Sequence, residues 1–211
     1  MINSGFKSGF VAIIGRPNVG KSTLLNTLVG QKIASISDKP QTTRNRIQGI
    51  LTNDDFQIIF LDTPGMHKPK HLLGEYMVNV ARRAMEEVDG IIFVVDPVSG
   101  IGGGDQYIAD YIRNIETPKI LVLNKIDVIS SQKAKEYEDV LDSLGEFHKV
   151  IKISALRNIN TGKLIDELIG ILPEGPMYYP ADMVTDHPER FIIAELIREK
   201  VLELTRDEVP H

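Results

Sequence analysis

The chain contains no cysteine, so neither a disulfide nor a cysteine-ligated metal can hold it together. That absence is compatible with a reducing compartment. No apolar run exceeds five residues, the longest being 10–14 and 91–95, which is far too short to span a bilayer. The first residues lack a basic stretch followed by a long apolar one, so no secretory leader is expected. Positive charge is not in excess either. The formal net charge is −5, so tight nucleic-acid binding by bulk electrostatics is not expected, although a local basic patch is compatible with it. What is present is ordinary globular composition, 42% hydrophobic and 25% charged, over 211 residues. That length suits one core of roughly 170 residues with an appendage.

Short runs rich in Ile and Val at 10–14, 47–52, 56–61, 91–95, 119–123 and 149–153 predict strands. Asn53-Asp54-Asp55 joins the second and third through a turn suited to an antiparallel hairpin. Amphipathic stretches at 21–29, 72–88, 105–114, 131–144 and 162–172 predict helices, with Leu73, Met77, Val80, Ala84 and Val88 sharing one face of the second. Strands alternating with helices imply an α/β fold: a mostly parallel six-stranded sheet with helices on both faces. Pro173-Glu174-Gly175-Pro176, with Pro180 close behind, marks a boundary. It divides residues 1–175 from 176–211, where 189–204 reads as a further amphipathic helix.

Gly15-Arg16-Pro17-Asn18-Val19-Gly20-Lys21-Ser22 follows the first strand and opens the first helix, matching G-x-x-x-x-G-K-[ST], the P-loop. A chance match in a chain this long is on the order of 1 in 100, and the strand-to-helix context sharpens it further. Glycines let backbone N–H groups wrap a phosphate, and the helix N-terminus aims at the same anion. Lys21 then reaches the β- and γ-phosphates and the Ser22 hydroxyl binds Mg²⁺. Asp62-Thr63-Pro64-Gly65 ends the third strand, where an aspartate can hold the Mg²⁺ shell. The Gly65 N–H can approach a γ-phosphate because nothing projects from its Cα.

Asn124-Lys125-Ile126-Asp127 follows the fifth strand. Guanine offers N1–H and an amino group to the Asp127 carboxylate, whereas adenine lacks that pair. A site built around a buried carboxylate rejects a partner that leaves it unpaired. Asn124 can bond the other base edge and tie loops together, the Lys125 stem can lie along the ring, and Ser154-Ala155 can offer a backbone N–H to the guanine carbonyl. Taken alone, Asn124 to Asp127 is equally a polar strand end. Its place in an ordered set at the C-terminal edge of a sheet favours the base site. A P-loop ATPase or kinase is disfavoured by the same four residues.

The ordered set resembles the translation-factor-related GTPases. Finer strings resemble the bacterial Era family: Lys39-Pro40-Gln41-Thr42-Thr43-Arg44, Asp62-Thr63-Pro64-Gly65-Met66-His67, Glu195-Leu196-Ile197-Arg198-Glu199-Lys200 and Glu208-Val209-Pro210-His211. The likeness runs from about Ser8 to the last residue. It implies a Ras-like P-loop domain (1–175) and, in 176–211, a linker and the first part of a truncated KH domain of α+β type. It also implies a slow, Mg²⁺-dependent GTPase switch that binds GTP and GDP. The implied role is assembly of the small ribosomal subunit through the 3′ end of 16S rRNA, in the cytoplasm with peripheral membrane association. The alternative is a non-catalytic, GTP-dependent RNA- or ribosome-binding module.

By that resemblance Gly15, Asn18, Val19, Gly20, Lys21, Ser22, Thr23, Asp62, Thr63, Pro64, Gly65, Met66, Asn124, Lys125, Asp127, Ser154 and Ala155 contact the nucleotide. Lys21, Thr43 and Gly65 serve catalysis, and Ser22, Thr43 and Asp62 hold the metal, with Thr42 the alternative to Thr43. Met66 stands where a glutamine would orient the attacking water. Asn18 lies where related GTPases hold K⁺, whose charge replaces an arginine finger, or else simply stabilises the loop. His67, Lys68, Lys70 and His71 form a basic cluster read as solvated surface. Gly102-Gly103-Gly104 reads as a flexible turn, and Arg82-Arg83 and His187-Pro188 read as structural or surface features. No glycine occurs in 177–211, so no G-x-x-G RNA clamp lies there. A lone amphipathic helix at 189–204 must pack on the core, pair with another copy or stay mobile.

Overall fold

Alternate residues of the first strand serve opposite faces of one sheet. Val11 and Ile13 enter one apolar cluster, while Ala12 and Ile14 enter another. A strand covered on both faces reads as a continuous apolar run, which is why this segment stands out in the sequence. The computed structural model describes residues 5–36, 46–67, 72–129, 141 and 143–205. The elements run β1 (Lys7–Gly15), α1 (Lys21–Val29), β2 (Ile47–Thr52), β3 (Phe56–Asp62), α2 (Leu72–Ala84), β4 (Gly90–Val95), α3 (Gly103–Ile112), β5 (Lys119–Leu123), a 3-10 turn (Ile126–Val128), β6 (Lys149–Lys152), α4 (Thr161–Ile171) and α5 (Glu189–Thr205).

The six strands lie in the order β2-β3-β1-β4-β5-β6, all parallel except β2. The hairpin expected at Asn53 to Asp55 is present: the Asn53 N–H donates to the Phe56 carbonyl at 2.9 Å. Leu24 and Leu25 of α1 and Leu164 and Leu168 of α4 cover one face of the sheet. Ala81 of α2 and Ile108, Ala109 and Ile112 of α3 cover the other.

Two boundaries differ by three residues or more from the pattern read in the sequence. β1 starts at Lys7, three residues before the apolar run, because Lys7 and Ser8 pair with Phe56 and Gln57. α2 ends at Ala84 rather than at residue 88, and its buried face is Met77, Val78, Ala81 and Ala84, with Val80 only half-buried. Met77 and Ala84 belong to the expected face, while Val78 and Ala81 take the place of Val80 on the buried side, and Val88 packs from beyond the helix end. The Leu73 side chain and most of the helix expected at 131–144 lie outside the described residues. Among the described residues no helix is long and apolar enough to cross a membrane.

After α4 the chain returns across the sheet. The Ser8 N–H donates to the Pro173 carbonyl, and Gln57 clamps Tyr178 and Tyr179 through bonds of 2.7–2.9 Å. The Ile50 N–H of β2 then donates to the Val184 carbonyl at 2.9 Å, which satisfies part of an otherwise open sheet edge. α5 packs on the core through Phe191 and Ile192, the first of the three outcomes open to a lone amphipathic helix. Ile193, Ile197, Val201 and Leu204 are exposed, Leu204 at 81%.

Candidate functional site

Because β1, β3, β4, β5 and β6 are parallel, the residues that follow them converge on one edge of the sheet. β1 has β3 on one side and β4 on the other, so its connections diverge there and open a crevice of the kind in which open α/β sheets bind ligands. The loop from Gly15 to Gly20 lines that crevice. Gly20 caps α1 at φ 97, and a side chain there would overlap the Asn124 amide. α1 has no acidic residue of its own in its first turn, and its positive end faces the crevice.

Lys21 is buried, and its ammonium donates to the Arg16 carbonyl at 2.8 Å. Burial lowers its pKa to about 8, against the pull of the Asp62 charge. The Ser22 hydroxyl donates to Asp62 Oδ2 at 2.7 Å. Burial raises the Asp62 pKa to about 6, opposed by the Lys21 charge, the Ser22 bond and the Thr63 N–H. The other Asp62 oxygen, Oδ1, is buried without a hydrogen-bond partner among the described residues. An orphaned carboxylate oxygen beside a hydroxyl oxygen is a donor set that fits a hard divalent cation such as Mg²⁺. Among the described residues no cluster of three acidic or histidine ligands exists, so phosphate oxygens and water would complete such a shell. Thr42 and Thr43 lie outside the described residues.

The segment after β3 leans on the phosphate loop. A Cβ on Gly65 would come within 2.6 Å of the Pro17 nitrogen, so only glycine allows this contact. The Met66 N–H donates to the Gly15 carbonyl at 3.0 Å, and its side chain is fully buried beside Ala12 and Ile14. Met66 was expected among the nucleotide contacts, but its side chain is a core residue. The Thr63 hydroxyl likewise turns inward, to the Ile13 carbonyl at 2.8 Å.

At the base end the hydrogen bonds bear on three of the residues read from the sequence. Asn124 is buried and ties loops together as expected: Nδ2 donates to the Val19 carbonyl and Oδ1 accepts the Ala155 N–H, each at 2.9 Å. The Ala155 and Ser154 N–H groups are both taken internally, the latter by Ile159 at 3.2 Å, so they shape the loop. Asp127 is exposed on the 3-10 turn rather than buried, so any ligand must supply part of its enclosure. Lys125, at φ 63, sends its ammonium to the Asn18 carbonyl (2.9 Å) and to Asp96 Oδ2 (2.8 Å). Asn18 is itself exposed, at φ 64. Thr23 is half-buried in the first turn of α1.

Asp96, Asp105 and the Arg16 side chain were not singled out in the sequence, yet all three fasten this edge. For Asp96 a signal existed: it is an acid immediately after a parallel strand, on the ligand-binding edge.

Residues 10–125 match the family described as 50S ribosome-binding GTPase. The chain is 58% identical to the GTPase Era of Alkaliphilus oremlandii (strain OhILAs) over 206 residues, covering 98% of this chain and 70% of that protein. It is 44% identical to a solved Era in complex with MgGDPNP and nucleotides 1506–1542 of 16S ribosomal RNA. The TM-score is 0.90, with 97% of this chain and 70% of that one covered. A variant of Aquifex aeolicus Era bound to GDP and AlF4− is 42% identical, again with a TM-score of 0.90 and the same coverage of each chain.

Proposed function

This chain belongs to the Era family of GTPases, and from that premise we propose that it uses GTP hydrolysis to time a step in small ribosomal subunit assembly, with 16S rRNA as its macromolecular partner. The observation that carries the nucleotide site is the Lys21, Ser22 and Asp62 cluster at the N-terminus of α1. Lys21 and the Gly15 to Gly20 backbone hold the phosphates. Ser22 and Asp62, with Thr43, hold Mg²⁺, whose charge offsets that developing on the phosphate oxygens. The Gly65 N–H, braced on Pro17, serves the γ-phosphate, and Asp127 reads guanine. The buried Met66 side chain cannot orient water as a glutamine would, which fits slow intrinsic turnover. K⁺ held at Asn18 would add the positive charge an arginine finger supplies elsewhere.

Residues 176–211 form the linker and the start of a KH-type unit, a reading supported by the exposed stripe of α5 and by the family likeness. The protein acts in the cytoplasm, with peripheral contact to the membrane's inner face. Nucleotide binding and turnover in K⁺ and in Na⁺, with and without the 3′ segment of 16S rRNA, test the reading. GTP and GDP are expected to bind without competition from ATP, with slow turnover that K⁺ accelerates. Equal affinity for ATP and GTP would overturn it, whereas identical rates in the two salts would remove only the K⁺ site.

A further inference from the structure

Arg16, the second residue of the phosphate loop, is held by a carboxylate 89 positions away. Its Nε donates to Asp105 Oδ1 at 2.8 Å, and Asp105 is fully buried. One terminal nitrogen, Nη2, donates to the Gly100 carbonyl at 2.6 Å and to the Ser99 hydroxyl at 3.2 Å. The second Asp105 oxygen accepts the Gly102 N–H at 3.0 Å and so caps α3. Gly104 completes the socket: a Cβ there would come within 2.6 Å of Arg16 Cδ. The last glycine of the run is therefore a seat for the arginine stem, inside the first turn of α3.

Capping alone would account for the bond to Gly102. It does not account for a buried carboxylate facing a guanidinium from another element, nor for the missing side chain at residue 104. Arg16 matters to its neighbours in two ways. Its carbonyl receives the Lys21 ammonium, and the residue after it, Pro17, is the wall on which Gly65 rests. The far side of the loop is fixed separately, by Lys125 bridging Asp96 and the Asn18 carbonyl.

We propose that Asp105 is a positioning residue for the phosphate end of the nucleotide site, acting through Arg16 to set where Lys21 and Gly65 stand. The inference rests on the guanine-nucleotide reading above. It makes the β4–α3 connection part of the phosphate-binding apparatus while leaving base recognition to Asp127 and its surroundings.

The substitution Asp105→Asn separates the two roles of the side chain. Asparagine can still accept from Gly102, but it loses the charge that faces Arg16. Gly104→Ala displaces the arginine stem without touching a titratable group, and Arg16→Lys keeps the charge but loses the forked contacts. Competition binding with GMP, GDP and GTP, steady-state GTP turnover and a thermal midpoint would be measured on the 211-residue chain.

Asp105→Asn and Gly104→Ala are expected to weaken GDP and GTP roughly tenfold or more and to lower kcat, with GMP affinity unchanged. A folded Asp105→Asn protein with wild-type GDP and GTP affinity and kcat would overturn the proposal, whatever its thermal midpoint. So would an equal loss for GMP, which would mark general distortion. Failure of the unmodified chain to bind GDP would instead strike the guanine-nucleotide reading.

Discussion

Asp127 and Asp62 are carboxylates under opposite constraints. Asp127 is exposed, and in the proposed reading it presents acceptors to a planar donor pair, so its contribution would lie in discrimination between bases. Asp127→Asn should weaken guanine nucleotides by about two orders of magnitude and shift preference towards xanthine nucleotides, whose second carbonyl finds the new amide donor. Competition assays with XDP and GDP check this, and unchanged GDP affinity would count against the assignment. Asp62 is buried, with a pKa raised from 3.8 to about 6. In metal-free buffer the folded protein therefore keeps a proton that the unfolded chain releases between those values. Stability should fall as pH rises from about 4 to about 6, by up to about 3 kcal/mol from this group, then level off. Denaturant titrations in EDTA across that window test the sign, and Asp62→Asn should flatten the slope. If Lys21 serves catalysis as proposed, its ammonium would meet charge that grows in the transition state, and Lys21→Ala should cut turnover by about two orders of magnitude. Single-turnover rates at saturating GTP would show it.

At the level of elements, α5 and the linker before it grip the chain on both sides of residues 37–45. On one side Glu199, buried in α5, accepts from the Lys32 ammonium at 2.5 Å and from the Ile36 N–H at 2.8 Å, and the Ser35 hydroxyl donates to Glu195 at 3.3 Å. On the other side the Thr185 hydroxyl donates to the Gln48 carbonyl at 2.6 Å. The His187 ring lies 3.3 Å from the Arg46 carbonyl and stacks on Phe191 at 4.4 Å. Burial alone would raise the Glu199 pKa. The bonds from Lys32 and Ile36, and then the Lys32 and Lys200 charges, outweigh it and hold the group below its usual 4.5. A depressed carboxylate stabilises the fold above 4.5 and loses that contribution as pH falls through its lower folded value. Glu199→Gln should therefore cost about 1–2 kcal/mol at pH 7, allowing for the half-exposed Lys32, and much less in strong acid. Urea unfolding of both proteins at the two pH values decides it. A cost that does not shrink in acid would mean that shape, rather than charge, holds the helix.

Across the 211 residues a nucleotide edge is joined to a segment, 177–211, that holds no G-x-x-G loop. Residues 177–211 contain no glycine, and the net charge of −5 gives little general attraction to a polyanion. The 211 residues should therefore bind single-stranded rRNA only weakly at physiological salt, with a Kd above about 1 μM. Joining the remaining length of a relative such as the A. oremlandii protein should tighten it, because the exposed Ile193, Ile197, Val201 and Leu204 would gain apolar partners there. Fluorescence anisotropy with a labelled 3′ rRNA segment measures both. Sub-micromolar, sequence-specific binding by these residues alone would place the RNA site on the GTPase core instead.

How much of this was legible depends on the range of each interaction. Gly15 to Ser22, the hairpin at Asn53 to Asp55 and all six strand runs could be read directly, because local backbone geometry and side-chain period are properties of neighbouring residues. The convergence of four motifs on one edge also followed, since parallel strands must deliver their C-terminal ends together. The remainder was decided in three dimensions. Met66 could be a ligand contact or a core residue until its side chain joined the cluster of Ala12 and Ile14, and which loops Asn124 would tie was open until Val19 and Ala155 met its amide. Asp105 could be only a helix cap until Arg16 arrived from 89 positions away, and Glu199 only a surface acid until Lys32 met it from 167. The sequence by itself determined the chemistry on offer at each position and the elements that carry it. Which groups meet was decided only by the tertiary structure, because buried charges and amides must find partners across the fold and nothing in their immediate neighbours says which.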